Sequence, residues 1–202
     1  MIAMRIEVYF DGLCEPVNPG GIATYGFIIY IDGKKVYDGC GVICGFNRNA
    51  TNNVAEYTAL IEALKWLLKN GFNNGKVRVK GDSQLVIRQL NGYYSVRSPR
   101  ILPLYGEAVK LAEKFRHIEF RWIPRRLNEE ADSLSRKAYR KYCRENKEKF
   151  LKHYSKYLIS DRQRRYIYYL AKKTGINVGI DEFTSKREAS KIISNLLRKI
   201  CY

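Results

Sequence analysis

The sequence predicts an α/β protein with a mixed five-stranded sheet, helices on both faces of that sheet, and a small helical C-terminal extension. Three observations lead to this prediction. Two strand-like segments near the N-terminus are joined by Asp32-Gly33, a dipeptide typical of hairpin turns. Strand-like and helix-like segments then alternate, as they do in sheets whose strands are connected by helices. After residue 145 only helical patterns remain.

The predicted elements follow one another in the order β-β-β-α-β-α-α-β-α. The first strand covers 5–11, where the apolar residues Ile6, Val8 and Phe10 alternate with more polar neighbours. Further strands are expected over 25–31, 34–44, 76–82 and 118–123, and helices over 52–70, 83–90, 104–115 and from residue 128 onward. Because no proline or glycine interrupts 131–158, the last of these helices is expected to run far.

Two domains are expected, a first one over 1–145 and a basic helical one over 146–202. In the second domain, Ser160 with Gln163 and Ser185 with Glu188 have the spacing of helix capping boxes. Gly175 is expected to end the first of these helices. Short helices of this kind are stable only when they pack on each other or on another domain.

Basic residues outnumber acidic residues by 37 to 20, and the excess is concentrated in residues 141–202, which hold 16 basic and 6 acidic side chains. A field of this sign attracts polyanions. Nucleic acid is the expected partner, and an anionic membrane surface is the second candidate. The third interpretation is a solvated basic surface without a dedicated partner.

The sequence gives no sign of membrane insertion or export. It contains no run of about 18 apolar residues, and charged residues follow Met1 too closely for a signal peptide. We therefore expect a soluble, cytoplasmic protein without membrane association, and no obligate protein partner is evident. The five cysteines form no CxxC pair, so neither a zinc site nor a full disulfide framework is predicted. Cys40 and Cys44 are expected to be small buried thiols on one face of the third strand.

Four acidic residues stand where the predicted elements bring them to one end of the sheet. Asp11 ends the first strand, and Asp82 directly follows the fourth strand. Glu56 and Asp132 lie in the first turns of two helices. If the first and fourth strands are parallel neighbours, Asp11 and Asp82 lie side by side at the strand ends, where sites of α/β proteins gather. The two carboxylates on helices can then face them.

Such a cluster of carboxylates is tolerable only around cations, because like charges at close range repel. Mg²⁺ accepts a few carboxylates and takes its remaining oxygens from water and phosphate. Two such ions about 4 Å apart can activate a water and stabilise the leaving oxygen of a phosphodiester. Each acid also has a purely structural explanation, as a first-turn helix residue, a turn residue or a helix cap. Those explanations do not account for all four lying at one end of one sheet.

The stretches that carry these carboxylates resemble type 1 ribonuclease H in order, spacing and structural context. They are YFDG (9–12), NPGG (18–21), ATNNVAE (50–56), KGDSQLVI (80–87) and NEEADSLSR (128–136). The resemblance covers residues 1–140. It implies a ribonuclease-H-like fold and metal-dependent endonucleolytic cleavage of the RNA strand in RNA–DNA hybrids, with 5′-phosphate and 3′-hydroxyl ends as products.

The resemblance also assigns roles to individual residues. The implied metal-binding carboxylates are Asp11, Glu56, Asp82 and Asp132, with Asp11 bridging two Mg²⁺ ions, for which Mn²⁺ is the expected substitute. The residues implied to contact the hybrid near the scissile phosphate are Asn18, Asn53 and Gln84. The backbone of Cys14 is expected to approach RNA, and Thr51 with the start of its helix is expected to form a pocket for a DNA phosphate. Amide side chains can donate to and accept from ribose 2′-hydroxyls.

Three departures from the family pattern affect these expectations. The loop histidine that precedes the last aspartate in bacterial members is absent, and Arg125 takes roughly its place, which resembles archaeal members. The Arg125 cation can engage the leaving phosphate but does not titrate near neutrality; a plain phosphate contact or a surface position is the alternative. The basic handle between the second and third helices is missing, since only 91–101 lies there. The loop before Asn18 is one residue longer than the common pattern.

The C-terminal extension combines its basic charge with tyrosines, namely Tyr139, Tyr142, Tyr154, Tyr157, Tyr166, Tyr168 and Tyr169. Basic and aromatic side chains together bind phosphates and stack on bases. We therefore expect the extension to replace the missing handle in binding nucleic acid. The alternative is that the tyrosines form its core and the charges are merely solvated.

Four hypotheses for function follow from the sequence. The leading hypothesis is an endonuclease that cleaves the RNA strand of RNA–DNA hybrids. The second is a broader nuclease that also cuts double-stranded RNA, and the third is a catalytically silent module that binds hybrids. The complete set of four carboxylates argues against the silent module. A strand-transfer enzyme of the transposase type shares the fold but resembles these motifs less and would need parts that bind DNA ends.

Overall fold

A computed structural model describes residues 4–200 of the protein. It contains the predicted five-stranded sheet, whose strands lie in the order β3-β2-β1-β4-β5. The strands are β1 (Arg5–Glu15), β2 (Ile22–Ile31), β3 (Lys34–Cys44), β4 (Lys76–Gly81) and β5 (His117–Trp122). Strand β2 pairs with β3 in antiparallel fashion, whereas β4 pairs with β1 and with β5 in parallel. The predicted mixed sheet is thereby confirmed.

Within residues 4–200, seven α-helices accompany the sheet. They are α1 (Asn52–Lys69), α2 (Gln84–Leu90), α3 (Leu102–Ala112), α4 (Glu129–Glu145), α5 (Lys147–Tyr154), α6 (Asp161–Thr174) and α7 (Lys186–Ile200). The expectation of one long helix after residue 128 is wrong, because α4 ends at Glu145 and α5 begins two residues later. Between them, Asn146 has φ −121° and ψ 30°, outside the helical region. Its side-chain amide donates to the carbonyl of Tyr142 at 3.0 Å, a local bond by which asparagine competes with continued helix.

The described residues divide into two compact units, one made of 4–14 and 18–141 and the other of 15–17 and 142–200. In the first unit, alternate residues of β1 point to opposite faces of the sheet. Ile6, Val8 and Phe10 are buried in the main core together with the apolar side of α1. Because the odd-numbered residues of β1 point the other way, Asp11 faces α4, where it contacts Ser135.

The hairpin between β2 and β3 has the predicted turn. Asp32 and Gly33 both have positive φ angles, 48° and 80°. Two left-handed residues define the type I′ turn, whose twist matches that of the flanking strands. Glycine and aspartate adopt this conformation at lower cost than other residues, which is why the dipeptide predicted the turn.

The second unit is held together by two small groups of buried side chains. One group lies between α6 and α7 and contains Ile167, Leu170, Ala189 and Leu196. The other is aromatic and contains Phe150, Tyr154 and Phe183. Within residues 4–200, no helix combines the length and the apolar character needed to cross a bilayer.

Both predicted starts of the tail helices are observed. Ser160 and Gln163 form the complete capping box of α6, because the Ser160 hydroxyl accepts from the Gln163 backbone N–H at 3.2 Å and the Gln163 side chain accepts from the Ser160 N–H. At α7, the Ser185 hydroxyl accepts from the backbone N–H of Glu188 at 3.0 Å. Gly175 ends α6 with a φ of 68°, as predicted.

The cysteines correct one expectation. Cys14 and Cys143 are buried, but Cys44 is only half-buried and Cys40 is exposed. The reason is that β3 is the outer strand of the sheet, so its side chains have fewer neighbours than a central strand would provide. Cys40 and Cys44 are free thiols; Cys201 lies outside the described residues.

Candidate active site

The strand register places two of the four predicted carboxylates next to each other. Phe10 of β1 pairs with Gly81 of β4 in the parallel ladder. Asp11 and Asp82 are the next residues along the chain, so both lie at the carboxyl end of this ladder. The expectation that the first and fourth strands are parallel neighbours is therefore confirmed, and it brings the two aspartates together as the sequence predicted. The expectation that Asp11 ends the first strand is wrong, because β1 continues to Glu15 beyond its pairing with β4.

Two glycines allow the helices that carry the other carboxylates to approach the sheet closely. A Cβ atom on Gly12 would lie 2.2 Å from the backbone nitrogen of Glu56, so β1 touches the backbone of α1. A Cβ atom on Gly26 would lie 2.6 Å from the backbone nitrogen of Ser135, so β2 touches α4 in the same way. Any larger residue at either position would push one of these helices away from the site.

Asp11 is buried and accepts a hydrogen bond of 2.6 Å from the hydroxyl of Ser135 through Oδ2. The pKa of Asp11 is raised to about 7, mainly by burial and in part by the negative charges of Asp132 and Asp82, while the bond from Ser135 opposes the change. The carboxyl group is therefore costly to ionise without a nearby cation.

Glu56 is half-buried and, like Asp11, accepts a hydrogen bond from a serine. Its Oε2 atom accepts a hydrogen bond of 2.7 Å from the Ser83 hydroxyl, which also caps the start of α2. The pKa of Glu56 is raised to about 8, mainly by loss of solvation and in part by the charges of Asp11 and Asp82. The charges of Asp11, Glu56 and Asp82 therefore repel one another within the site.

Asp82 is held by Asn128, which precedes α4. The Asn128 amide donates to Asp82 Oδ1 at 2.6 Å and to the backbone carbonyl of Phe10 at 2.9 Å. Asn128 is almost fully buried and thereby links the ends of β1 and β4 to the start of α4. Its Oδ1 atom is also buried and has no hydrogen-bond partner within residues 4–200.

Asp132 differs from the other three carboxylates because two arginines neutralise it. Arg136 donates from Nε to Asp132 Oδ2 at 2.6 Å, and Arg125 forms an ion pair with Oδ1. Arg125 is thus placed at the edge of the carboxylate group, as its sequence position predicted. Across the part of the chain that the structure describes, no three or more acidic, histidine or cysteine side chains form a ready-made cage for a metal ion.

The residues predicted to contact substrate fall into two places. Cys14 and Asn18 are joined through Asn52, whose side chain accepts from the Cys14 backbone N–H at 2.7 Å and whose own N–H donates to Asn18 Oδ1 at 3.3 Å. The Cys14 N–H is therefore already engaged. The Thr51 hydroxyl caps α1 by accepting from the Val54 N–H at 3.2 Å.

Asn53 and Gln84 are the remaining predicted contacts, and each lies near the start of a helix. Asn53 is half-exposed in the first turn of α1, and Gln84 is exposed as the first residue of α2. Both amides can therefore reach a ligand that approaches the carboxylates from solvent.

Sequence reasoning missed the residues that hold the carboxylates in place, namely Ser83, Asn128, Ser135 and Arg136. It also missed Asn52, which joins Cys14 to Asn18. A signal for two of them was present, because Ser135 and Arg136 follow Asp132 by three and four residues. Side chains at these spacings share one face of a helix. Ser83 directly follows Asp82, but its bond to Glu56 depends on the packing of α1 against the sheet, which the sequence does not reveal.

Comparisons with known proteins agree with this geometry. Residues 10–138 match the family model described as "Reverse transcriptase-like". The bifunctional protein Rv2228c of Mycobacterium tuberculosis is 44% identical over 136 residues, which are 67% of this chain and 35% of that protein. The chain thus spans about a third of the length of the first curated relatives it matches.

Two solved structures resemble the first unit closely. The crystal structure of RNase H1 from the archaeon Halobacterium salinarum is 35% identical, with a TM-score of 0.61, and the match covers 68% of this chain and 98% of that one. The structure of LC11-RNase H1 in complex with RNA/DNA hybrid is 33% identical, with the same TM-score and the same coverage. The neighbouring aspartates Asp11 and Asp82, the strand order and these similarities all agree. The chain therefore belongs to the type 1 ribonuclease H family.

Proposed function

We propose that the protein is an endonuclease that hydrolyses the RNA strand of RNA–DNA hybrids with the help of two divalent cations, giving 5′-phosphate and 3′-hydroxyl ends. The observation that carries this proposal is the group of mutually repelling carboxylates at the carboxyl end of the β1–β4 ladder, in which Asp11 and Glu56 have pKa values raised to about 7 and about 8. A structural role alone does not explain why a protein would place a buried and a half-buried carboxyl group together in this way.

The donor atoms of the site suit Mg²⁺ or Mn²⁺. All the candidate ligands are oxygens, and the buried Oδ1 of Asn128 is an additional acceptor without a hydrogen-bond partner in the described chain. A ready-made cage is not required, because Mg²⁺ binds through one or two carboxylates and keeps waters and phosphate oxygens as its other ligands. The proposed ligands are Asp11, Glu56, Asp82 and Asp132. When bound, such ions supply an activated water and stabilise the leaving oxygen.

The protein's own residues hold these carboxylates in fixed orientations. Ser135 orients Asp11, Ser83 orients Glu56, and Asn128 orients Asp82, each through a hydrogen bond of 2.6–2.7 Å. Bonds to ionised groups are among the stronger hydrogen bonds in proteins. The carboxylates are therefore positioned before substrate arrives, which reduces the reorganisation that the reaction requires.

Arg125 has a separate proposed role at the edge of the site. Its side chain is 56% exposed while one end contacts Asp132. A guanidinium group can bind phosphate oxygens in a bidentate manner and remains charged throughout the neutral range. We infer that Arg125 contacts the phosphate that leaves the site.

Recognition of the RNA strand is assigned to the amides beside the carboxylates. Asn18 and Gln84 are exposed and Asn53 is half-exposed. An amide can donate to and accept from a 2′-hydroxyl, the group that distinguishes RNA from DNA. The capped start of α1 at Thr51 is the proposed site for a phosphate of the DNA strand, because the N-terminus of a helix favours anions.

The experiment that tests this proposal uses labelled RNA–DNA hybrid, duplex RNA and duplex DNA, each incubated with Mg²⁺, Mn²⁺ or EDTA. We expect cleavage of the hybrid's RNA strand that is abolished by EDTA and by Asp82→Asn. Asp38→Asn is the matched control, because Asp38 is an exposed aspartate of β3 outside the site. Binding without cleavage under every metal would identify a silent module, and cleavage of duplex RNA would identify the broader nuclease.

A further inference from the structure

The second unit has an aromatic surface that the proposed active site does not use. Tyr166 and Tyr169 of α6 are 41% and 59% exposed, and their rings lie nearly parallel, with an interplanar angle of 12° and centroids 6.3 Å apart. The rings border a shallow groove of about 510 Å³ between α6 and α7. We call this surface the α6 groove; its lining residues are Arg162, Gln163, Arg165, Tyr166, Tyr169 and Ile193.

Packing of the unit does not account for these two rings. Tyr154 behaves as a core residue, because it is fully buried beside Phe150. Tyr166 and Tyr169 instead leave large apolar areas in solvent, although Ile167 and Leu170 of the same helix are buried in the core between α6 and α7. Exposed aromatic surface of this kind is a common mark of a binding site.

The charge around the rings favours an anionic ligand. Helix α6 contains five basic residues and one acidic residue, Asp161, at its start. Arg162, Tyr166, Tyr169 and Lys173 are spaced by four, three and four residues, so they form one stripe along the helix. Within residues 4–200, neither Arg162 nor Lys173 is paired with an acidic side chain, and the same holds for Arg165 beside the stripe. These cations are therefore available to phosphates.

We propose that the α6 groove binds a single strand of nucleic acid, with unpaired bases stacked on Tyr166 and Tyr169 and phosphates contacted by Arg162, Arg165 and Lys173. Stacking requires a free base face, and a paired base inside a duplex has both of its faces covered by its neighbours. Alternation of aromatic rings and cations along one line is the pattern that single-strand binding requires. The proposal concerns a site separate from the carboxylates and does not depend on their activity.

The same observations argue against two other occupants. A second copy of the chain would bring two sets of unpaired cations together, and their repulsion opposes association. A duplex would interact with the arginines through its phosphates but would leave the tyrosine faces unused. The exposed rings therefore favour a single strand over both alternatives.

Fluorescence anisotropy tests the proposal with the full chain in EDTA, using a labelled 12-nucleotide single-stranded DNA and its RNA equivalent. The double variant Y166A/Y169A should bind each oligonucleotide at least about ten-fold more weakly, because stacking on one ring contributes a factor of about ten. The double variant Y166F/Y169F keeps the rings and should bind like the unmodified protein. Tyr168→Ala is the matched control, because Tyr168 is 52% exposed on the same helix but lies away from the stripe; its affinity should be unchanged.

Salt dependence separates stacking from charge. For single strands the logarithm of the binding constant falls with the logarithm of salt concentration by about 0.7 per neutralised phosphate. Replacing Arg162 and Arg165 by glutamine should reduce this slope by about 1.4, whereas Y166A/Y169A should leave the slope unchanged. An oligonucleotide containing 2-aminopurine should also be quenched by the unmodified protein and by Y166F/Y169F, but not by Y166A/Y169A.

Three results would overturn the proposal. The first is an equal loss of affinity in Tyr168→Ala and Y166A/Y169A, and the second is unchanged single-strand binding in Y166A/Y169A. The third is a change in the oligomeric state of Y166A/Y169A, measured by light scattering, without a change in its binding of single strands. Circular dichroism of each variant verifies that the fold is intact. Because the test measures binding in EDTA, a protein that cleaves no hybrid at all would still give a clear answer here.

Discussion

The raised pKa values of the buried carboxylates predict that the metal-free protein loses stability as pH rises. The pKa of Asp11 in the folded protein is about 7, roughly three pH units above its ordinary value of 3.8. Each unit corresponds to 1.36 kcal/mol of difference between the two protonation states, so ionisation of Asp11 destabilises the fold by about 4 kcal/mol. For a chain of this size, that difference lowers the melting temperature by about 10 °C.

The direction follows from proton binding. Between pH 4 and pH 7 the folded protein holds a proton on Asp11 that the unfolded chain has already released. This contribution to stability is therefore complete below about pH 4 and disappears as the pH rises through about 7. Glu56 extends the same loss to about pH 8, because its pKa in the folded protein is about 8. The proposed Mg²⁺ ions would bind only the folded, ionised site, so excess Mg²⁺ should restore stability at high pH by mass action.

Thermal unfolding followed by circular dichroism measures this effect between pH 5 and pH 8.5, in EDTA and in excess Mg²⁺. Asp11→Asn should flatten the pH dependence in EDTA and should be more stable than the unmodified protein at pH 8, because its amide does not ionise. Asp38→Asn should keep the original slope. The reasoning would be refuted by a melting temperature in EDTA that does not fall with pH, or by an Asp11→Asn variant that follows the unmodified protein.

Three further predictions test how the site is held together. Ser135→Ala removes the hydrogen-bond donor to Asp11 and should slow single-turnover hybrid cleavage by about ten-fold. The free energy of unfolding in urea should fall by about 1–3 kcal/mol. An unchanged cleavage rate would show that Asp11 needs no positioning by Ser135. Gly12→Ala places a Cβ atom 2.2 Å from the backbone nitrogen of Glu56, so it should lower the free energy of unfolding by about 3 kcal/mol in the same assay. A variant as stable as the unmodified protein would contradict the close approach of β1 to α1. Asn128→Ala removes two buried hydrogen bonds and should lower the free energy of unfolding by about 2 kcal/mol. A urea midpoint equal to that of the unmodified protein would exclude this loss.

The strands and most helices could be predicted because local patterns determine them. The alternation of Ile6, Val8 and Phe10 predicted β1, and the capping box at Ser160 marked the start of α6 within one residue. The end of α4 could not be predicted from the absence of glycine and proline. The helix ends where the Asn146 side chain donates a hydrogen bond to the backbone carbonyl of Tyr142, a local bond that competes with continuation of the helix.

The carboxylates could be predicted from the sequence, whereas their supports could not. Asp11 and Asp82 follow strands whose pairing can be inferred from the order of elements. The hydroxyl of Ser83 reaches Glu56 only because Gly12 allows α1 to lie directly on β1. Such contacts depend on how closely two elements approach, and hydrophobic periodicity contains no information about that distance.

The tyrosines of the tail show the same distinction. Composition alone left a core role and a binding role open for all of them. The structure divides the set, because Tyr139 and Tyr154 are buried whereas Tyr166, Tyr168 and Tyr169 are exposed. The three exposed rings all belong to α6, and their exposure follows from the rotation of α6 about its axis, which is fixed by where Ile167 and Leu170 pack.

Helix α4 contributes Asp132, Ser135 and Arg136 from consecutive turns of one face. Their separation along the chain is therefore as important as their chemistry. A single residue inserted after Asp132 would rotate the serine and the arginine by about 100° relative to that carboxylate. The insertion would leave every functional side chain in the sequence and would still disconnect them, so deletions and insertions in this turn should be far less tolerated than in the exposed loop over 91–100.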